Sequence, residues 1–219
     1  MGVPTQKFVR FINDIRELYD EINYFRNFKK VLENVIFCIN IMEKNKTQMS
    51  FSYCEMFTLF FFILIKDVFL NKETINGFLE RSDITSSFTP NETKRIYELL
   101  IFLQIPTNFK IIMDRGDIDK NTFLKILIKL SEDSYYFKEY SINYTWILLY
   151  YQEYDNETNL YINKLQKNYI EQTIMPLFNY IYSKNVLGLS EYKKNLDKNF
   201  DFWKTSKNLT RKEFINGVY

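Results

Sequence analysis

The chain has 219 residues, enough for a sizeable core, and its 29 basic residues nearly balance its 27 acidic ones, for a formal net charge of +2. Lysine and glutamate are interspersed, which argues against a nucleic-acid binder with a basic face. The chain contains no His, and its five glycines are scattered. Ser-His-Asp and Cys-His catalysis, His-ligated zinc and glycine-rich phosphate loops are therefore all excluded.

Aromatic residues make up 18% of the chain, and there is no Ala. Ala is the best helix former, so its loss is no folding requirement. Scarce Ala and Gly beside abundant Phe, Tyr, Ile, Asn and Lys point instead to an AT-rich genome.

Taken in order, Phe8, Phe11, Ile12, Ile15, Leu18, Tyr19 and Ile22 recur at helical spacing. Val31, Leu32, Val35, Ile36 and Ile39 continue the pattern in a second helix, and the polar run Glu43 to Thr47 reads as a connection. The window 51–70 is the most apolar, but it contains Glu55, Lys66 and Asp67. It predicts a helix buried on most sides, with membrane contact as the less favoured alternative. Thr89-Pro90-Asn91-Glu92 is a capping box with Pro at the first helical position, and Pro106 marks that helix's end. Further helices are predicted from Asp119, around Trp146 to Tyr151, from Leu160 to Met175, from Leu177 to Tyr182 and from Glu191 to Trp203. Pro176 is expected to break or kink the chain. Thr210 to Glu213 is a second capping box.

The fold class is thus all-α, a multi-helix bundle. It reads as one domain over 1–219, with a soft boundary near 82–89 between 1–84 and 85–219. Lys29-Lys30 and Lys193-Lys194, the densest basic spots, read as solvent-facing, and Cys38 and Cys54 as buried thiols. The N-terminus starts no apolar signal region, which points to an intracellular protein. Asp114, Asp117 and Asp119 around Gly116 form the tightest acidic group and read as a helix-capping turn.

The stretch from Phe200 to Phe214 resembles a degraded EF-hand, with Leu209, Glu213 and Phe214 at the places of the apolar strand residue, the last acidic ligand and the first aromatic of the exiting helix. Similar triples are Ile118, Thr122 and Phe123, with Gly116 at the turn; Leu160, Lys164 and Leu165; and Leu70, Thr74 and Ile75. The resemblance implies paired helix–loop–helix units. Their ligand places are spoiled: Ile111, Met113, Arg115 and Thr122 in one unit, Lys164 in the next, Phe202 and Lys204 in the last. It therefore implies a scaffold without calcium.

Excluded chemistry together with abundant Phe and Tyr leads to the expectation of a non-catalytic protein–protein interaction protein, an adaptor or accessory subunit rather than an enzyme, needing no cofactor or metal. Its candidate interaction surface is Phe57, Phe61, Phe62, Trp146, Tyr150 and Tyr151. The alternatives are a nucleic-acid-associated or organellar ribosomal component, and a viral helical bundle holding a host peptide in an apolar groove.

Overall fold

The computed structural model describes residues 3–19, 23–68, 72–116, 118–154 and 161–217, and its regular structure is all helical, with no strand among these residues. The helices are α1 (Thr5–Arg16), α2 (Phe28–Met49), α3 (Tyr53–Ile65), α4 (Lys72–Ser82), α5 (Pro90–Gln104), α6 (Phe109–Arg115), α7 (Lys120–Glu132), α8 (Tyr140–Glu153), α9 (Ile162–Tyr169), α10 (Met175–Ser183), α11 (Ser190–Thr205) and α12 (Arg211–Ile215). Short 3-10 turns at Ile84–Ser87 and Ser134–Phe137 precede α5 and α8.

Capping boxes start three of these helices where the sequence places or permits them. Ser52, Thr89 and Thr210 each accept a bond from the third helical residue, and Glu55, Glu92 and Glu213 bond back. Asp119 caps α7 through Thr122 N–H. The most apolar helix, α3, carries buried side chains on nearly every face and packs against α2, α5 and α7. No helix among the described residues is long and apolar enough to cross a membrane. α11 packs on α8, α9 and the Ser134–Phe137 turn, and α12 closes on α8. Without Ala, the space between helices is filled by large rings: Phe11, Phe37, Phe61, Phe123, Phe137, Phe178, Trp203 and Phe214 are all fully buried.

One expectation about boundaries changes and another is narrowed. Glu43 to Thr47 is not a connection, because α2 runs through it. Asn45 is buried there, and its amide pairs with both backbone groups of Leu187 at 2.8 and 3.0 Å, so polarity marks a helix-to-loop clasp. Pro176 does not separate two helices; of the two outcomes expected at it, a local distortion where they meet is the one seen. The chain widens into a π turn over Ile170–Ile174 just before it, which makes room where the ring would meet the carbonyl four residues back. α4 and α6 were not anticipated.

The EF-hand expectation fails on the same local geometry. The Glu213 carboxylate is spent on Thr210, accepting from its N–H at 2.8 Å and its hydroxyl at 2.7 Å, as a helix cap and not an ion ligand. Asp119 and Thr122 are likewise a cap, and no strand pairs the loops among the described residues. Residues 70 and 160, as well as Asp117 of the acidic group, lie outside the described residues.

Candidate functional site

Three helices run side by side in one direction. At their N-terminal ends the Glu55 carboxylate, only 5% exposed, accepts from Lys120 of α7 at 2.8 Å and from Arg95 of α5 at 3.1 Å. It also caps its own helix through Ser52. Burial pushes this carboxyl up, but Lys120, Ser52 and Arg95 outweigh burial and hold it at about 2.

At the opposite ends of the same helices a cleft of about 310 Å³ opens, lined by Phe62 and Lys66 from α3, the Leu103 to Thr107 exit of α5, and Lys125, Lys129 and Glu132 from α7. Pro106 turns the chain away after Gln104, which keeps α5 from filling this space. The negative ends of three helix dipoles meet here, and each has a lysine. Lys66 is the C-cap of α3, Lys129 sits in the last turn of α7, and Lys125 donates to the Ile105 carbonyl past the end of α5 at 2.9 Å.

Behind the cleft lies a chain of charges that runs from exposed Asp67 through half-buried Lys66, Glu132 and Lys129 to buried Asp133. Lys66 Nζ is 3.0 Å from Asp67 and 3.1 Å from Glu132; Lys129 Nζ is 3.2 Å from Glu132 and 3.4 Å from Asp133. Tyr169 donates to Asp133 at 3.0 Å. Burial pushes the Glu132 carboxyl up, yet Lys66 and Lys129 outweigh it and hold Glu132 below the usual carboxylate value. Asp133 goes the other way: its burial wins over Lys129 and Tyr169, and its pKa is raised. Lys30 ends the series. It is 5% exposed, donates to the Glu132 carbonyl at 3.0 Å, and lies 4.2, 5.4 and 5.5 Å from the rings of Tyr135, Trp146 and Phe25. Burial lowers its pKa to about 7, against the opposing pull of Asp133 and Glu33. The expectation that Lys30 faces solvent is therefore wrong: it lies on the inner face of α2, where its stem packs among rings.

On the far side of Lys129 and Glu132 a second cavity, of about 380 Å³, is walled by Phe25, Tyr135, Tyr136, Tyr150, Tyr151 and Tyr169, with Asp133 at one end. Gln166 is fixed in its wall, accepting from the Tyr136 hydroxyl and donating to that of Tyr151 at 3.1 Å. The two spaces share Lys129 and Glu132. Flat apolar walls, a few aimed polar groups and a concentration of perturbed titratable groups are what a small-molecule site requires.

The six aromatic residues expected to form a partner surface are not a surface. Phe57, Phe61, Phe62, Trp146 and Tyr151 are buried, and Tyr150 is half-buried. Phe57 and Phe61 pack on Phe11 at 6.2 and 5.5 Å, deep in the core. The other four do border the site: Phe62 lines the first cleft, Tyr150 and Tyr151 line the second, and Trp146 stands over Lys30 while donating to Glu33 at 3.0 Å. Lys30 was misread as solvent-facing, and Lys125, Lys129, Glu132 and Asp133 were missed entirely. A usable signal was present: Lys125 interrupts the apolar run from Phe123 to Leu130, where a lysine must be buried or sit at a functional wall. Among the described residues no three His, Cys, Asp or Glu side chains converge to hold a metal ion. Glu132 and Asp133 are committed to lysines, so this donor set does not fit a resident metal.

No family model matches the chain, and no curated protein sequence matches it. Solved structures do. The structure of LmjPDEB1 in complex with IBMX, a phosphodiesterase, superposes with a TM-score of 0.77 at 14% identity, over 91% of this chain and 79% of that one. This overturns the EF-hand resemblance. It also overturns the reading of the chain as a non-catalytic adaptor and not an enzyme, which was drawn from missing short motifs. At this identity the likeness shows one thing, that the chain has the all-helical fold of a phosphodiesterase.

Proposed function

We propose that this chain acts on a small phosphate ester carrying a flat ring, a nucleotide-like molecule, held across the two adjoining spaces. The ring lies among the tyrosines of the second cavity and the phosphoryl group points toward Lys129 and Lys66. The observation that carries this reading is the Lys129–Glu132 wall shared by both spaces, with Asp133 and Tyr169 on the side of the second cavity and buried Lys30 behind. The likeness to a phosphodiesterase supports it from the side of the fold.

The chemistry follows from the groups present. In the first cleft Lys66, Lys125 and Lys129 outnumber Asp67 and Glu132, which favours an anionic group. Lys129 keeps its charge, since Asp133, Tyr169 and Glu132 outweigh the effect of its burial and raise its pKa. It can therefore stabilise charge developing on phosphoryl oxygens. Asp133, raised by burial and positioned by Tyr169, takes the proton of an attacking water. In phosphodiester hydrolysis the water oxygen bonds to phosphorus, one ester P–O bond breaks, and the leaving oxygen collects a proton.

The test is conversion of a panel of cyclic and linear nucleotide diesters by the purified chain, with Asp133→Asn and Lys129→Met alongside. The reading expects turnover that both variants lose while remaining folded. Neither conversion nor binding of any diester by folded protein would refute it.

A further inference from the structure

The outer face of α2 is unlike a solvated helix surface. Lys29, Leu32, Ile36, Ile39 and Glu43 recur at alternating spacings of three and four, so they form one seam along the helix, and all five are exposed. Leu32, Ile36 and Ile39 are 36, 52 and 45% exposed. The opposite face holds the helix against α3 and α7, and Asn27 caps its start by accepting from the Lys30 N–H at 2.9 Å. The apolar surface continues beyond α2. Ile39 shares a dimple of about 40 Å³ with Met56 and Phe60 of α3, the Phe60 ring packs on Phe8 of α1 at 5.4 Å, and Val9 beside Phe8 is exposed. Single apolar residues on a surface need no explanation, but a contiguous patch bounded by charge marks an interaction site.

The charges at its two ends select what covers it. Lys29 stands seven residues before Ile36 and Glu43 seven residues after, each about 10 Å along the axis. A second copy of the helix laid antiparallel on the first, with a two-fold axis at Ile36, therefore brings Lys29 of each copy opposite Glu43 of the other. The Leu32–Ile36–Ile39 segments then meet one another at the centre. A parallel pair would set lysine against lysine and glutamate against glutamate, which repel. The antiparallel arrangement also opposes the two helix dipoles. Glu43 pairs with Lys46 of its own helix at 3.1 Å, but both side chains are more than half exposed, so that pair is weak and leaves the carboxylate open to a partner. One patch that complements itself about a two-fold axis is the contact that closed homodimers use.

We propose that the outer face of α2 is the interface of a homodimer, two copies of this chain packed antiparallel about Ile36 with a Lys29–Glu43 pair at either end. It stands independently of the reading given to the tyrosine cavity. A standard interface uses about 20–30 residues a side; this patch is smaller, so the dimer forms at about micromolar to hundred-micromolar concentrations. Sedimentation velocity of the full chain from about 1 to 500 µM measures it, with Ile36→Glu, Lys29→Glu, Glu43→Lys and the double exchange Lys29→Glu/Glu43→Lys alongside. All three positions are exposed, and urea midpoints check that each variant is folded. Expected are a reversible monomer–dimer equilibrium in wild type, no dimer with Ile36→Glu, at least about a tenfold weaker association with either single charge reversal, and recovery in the double exchange. A wild-type chain that stays monomeric at every concentration would leave the seam to a different partner and overturn the proposal. So would a dimer indifferent to Ile36→Glu, or a double exchange no better than the single reversals.

Discussion

Replacing Glu55 by Gln keeps the shape of the side chain and removes the charge that ties α3 to α5 and α7 at the end opposite the first cleft. The size of the effect can be worked from its ionisation. Partners hold the carboxyl at about 2 against an ordinary 4.5, and one pH unit corresponds to about 1.4 kcal/mol. The folded state therefore gains about 3 kcal/mol from the ionised form, in line with breaking one partner of a buried pair. Because the folded pKa is depressed, this contribution is fully present above pH 4.5 and is lost as pH falls toward 2. Urea unfolding of wild type and Glu55→Gln between pH 7 and 2.5 measures it directly. The variant should lose about 3 kcal/mol at pH 7 and show a flatter acid limb. A loss under about 1 kcal/mol, typical of an exposed pair, together with an unchanged acid limb would refute the reasoning.

Lys30 should make stability rise with pH at the alkaline end, and Lys30→Met should remove that rise. The folded pKa of Lys30 lies near 7, below its ordinary 10.5, so burial costs most below pH 7 and the cost fades as pH rises toward 10.5. Wild type should gain stability across that window and Lys30→Met should not, as read by denaturation at successive pH values. Phe61→Ala should lower stability by about 3–5 kcal/mol, because the ring is fully buried against Phe11 and Phe78; a residue serving a partner surface would leave the urea midpoint of the isolated chain unmoved. Asn45→Ala should cost about 1–3 kcal/mol by leaving both backbone groups of Leu187 unpaired, measured in the same way.

The helical class was readable because its signals are local. Thr89, Asp119 and Thr210 announce helix starts through side chains that reach only three residues ahead, and the caps form there. The buried character of α3 was readable from the charges that bound its apolar run. What failed depends on distant partners. Asn45 looks like a connector until Leu187, 142 residues on, is brought to it. Lys30 looks solvated until Phe25, Tyr135 and Trp146 close around it. The capping box at Thr210, read as half of an ion-binding loop, shows the limit of local pattern: a threonine and a glutamate at this spacing serve a helix start whatever the fold. The aromatic residues were correctly singled out as abundant, but the absence of Ala turns rings into core filling, so their number says little about a partner surface. The wall at Lys129, Glu132 and Asp133 is a single helix turn in sequence. It becomes a site only because Lys66 and Tyr169 arrive from other helices.

The most direct measurement for the central claim is equilibrium binding of a ring-bearing phosphate diester to the whole chain, compared with Lys129→Met. A saturable site that vanishes in the variant is the predicted result. No binding at all, or binding indifferent to Lys129, would contradict the assignment of the tyrosine cavity and its charged wall as the place where this fold does its work.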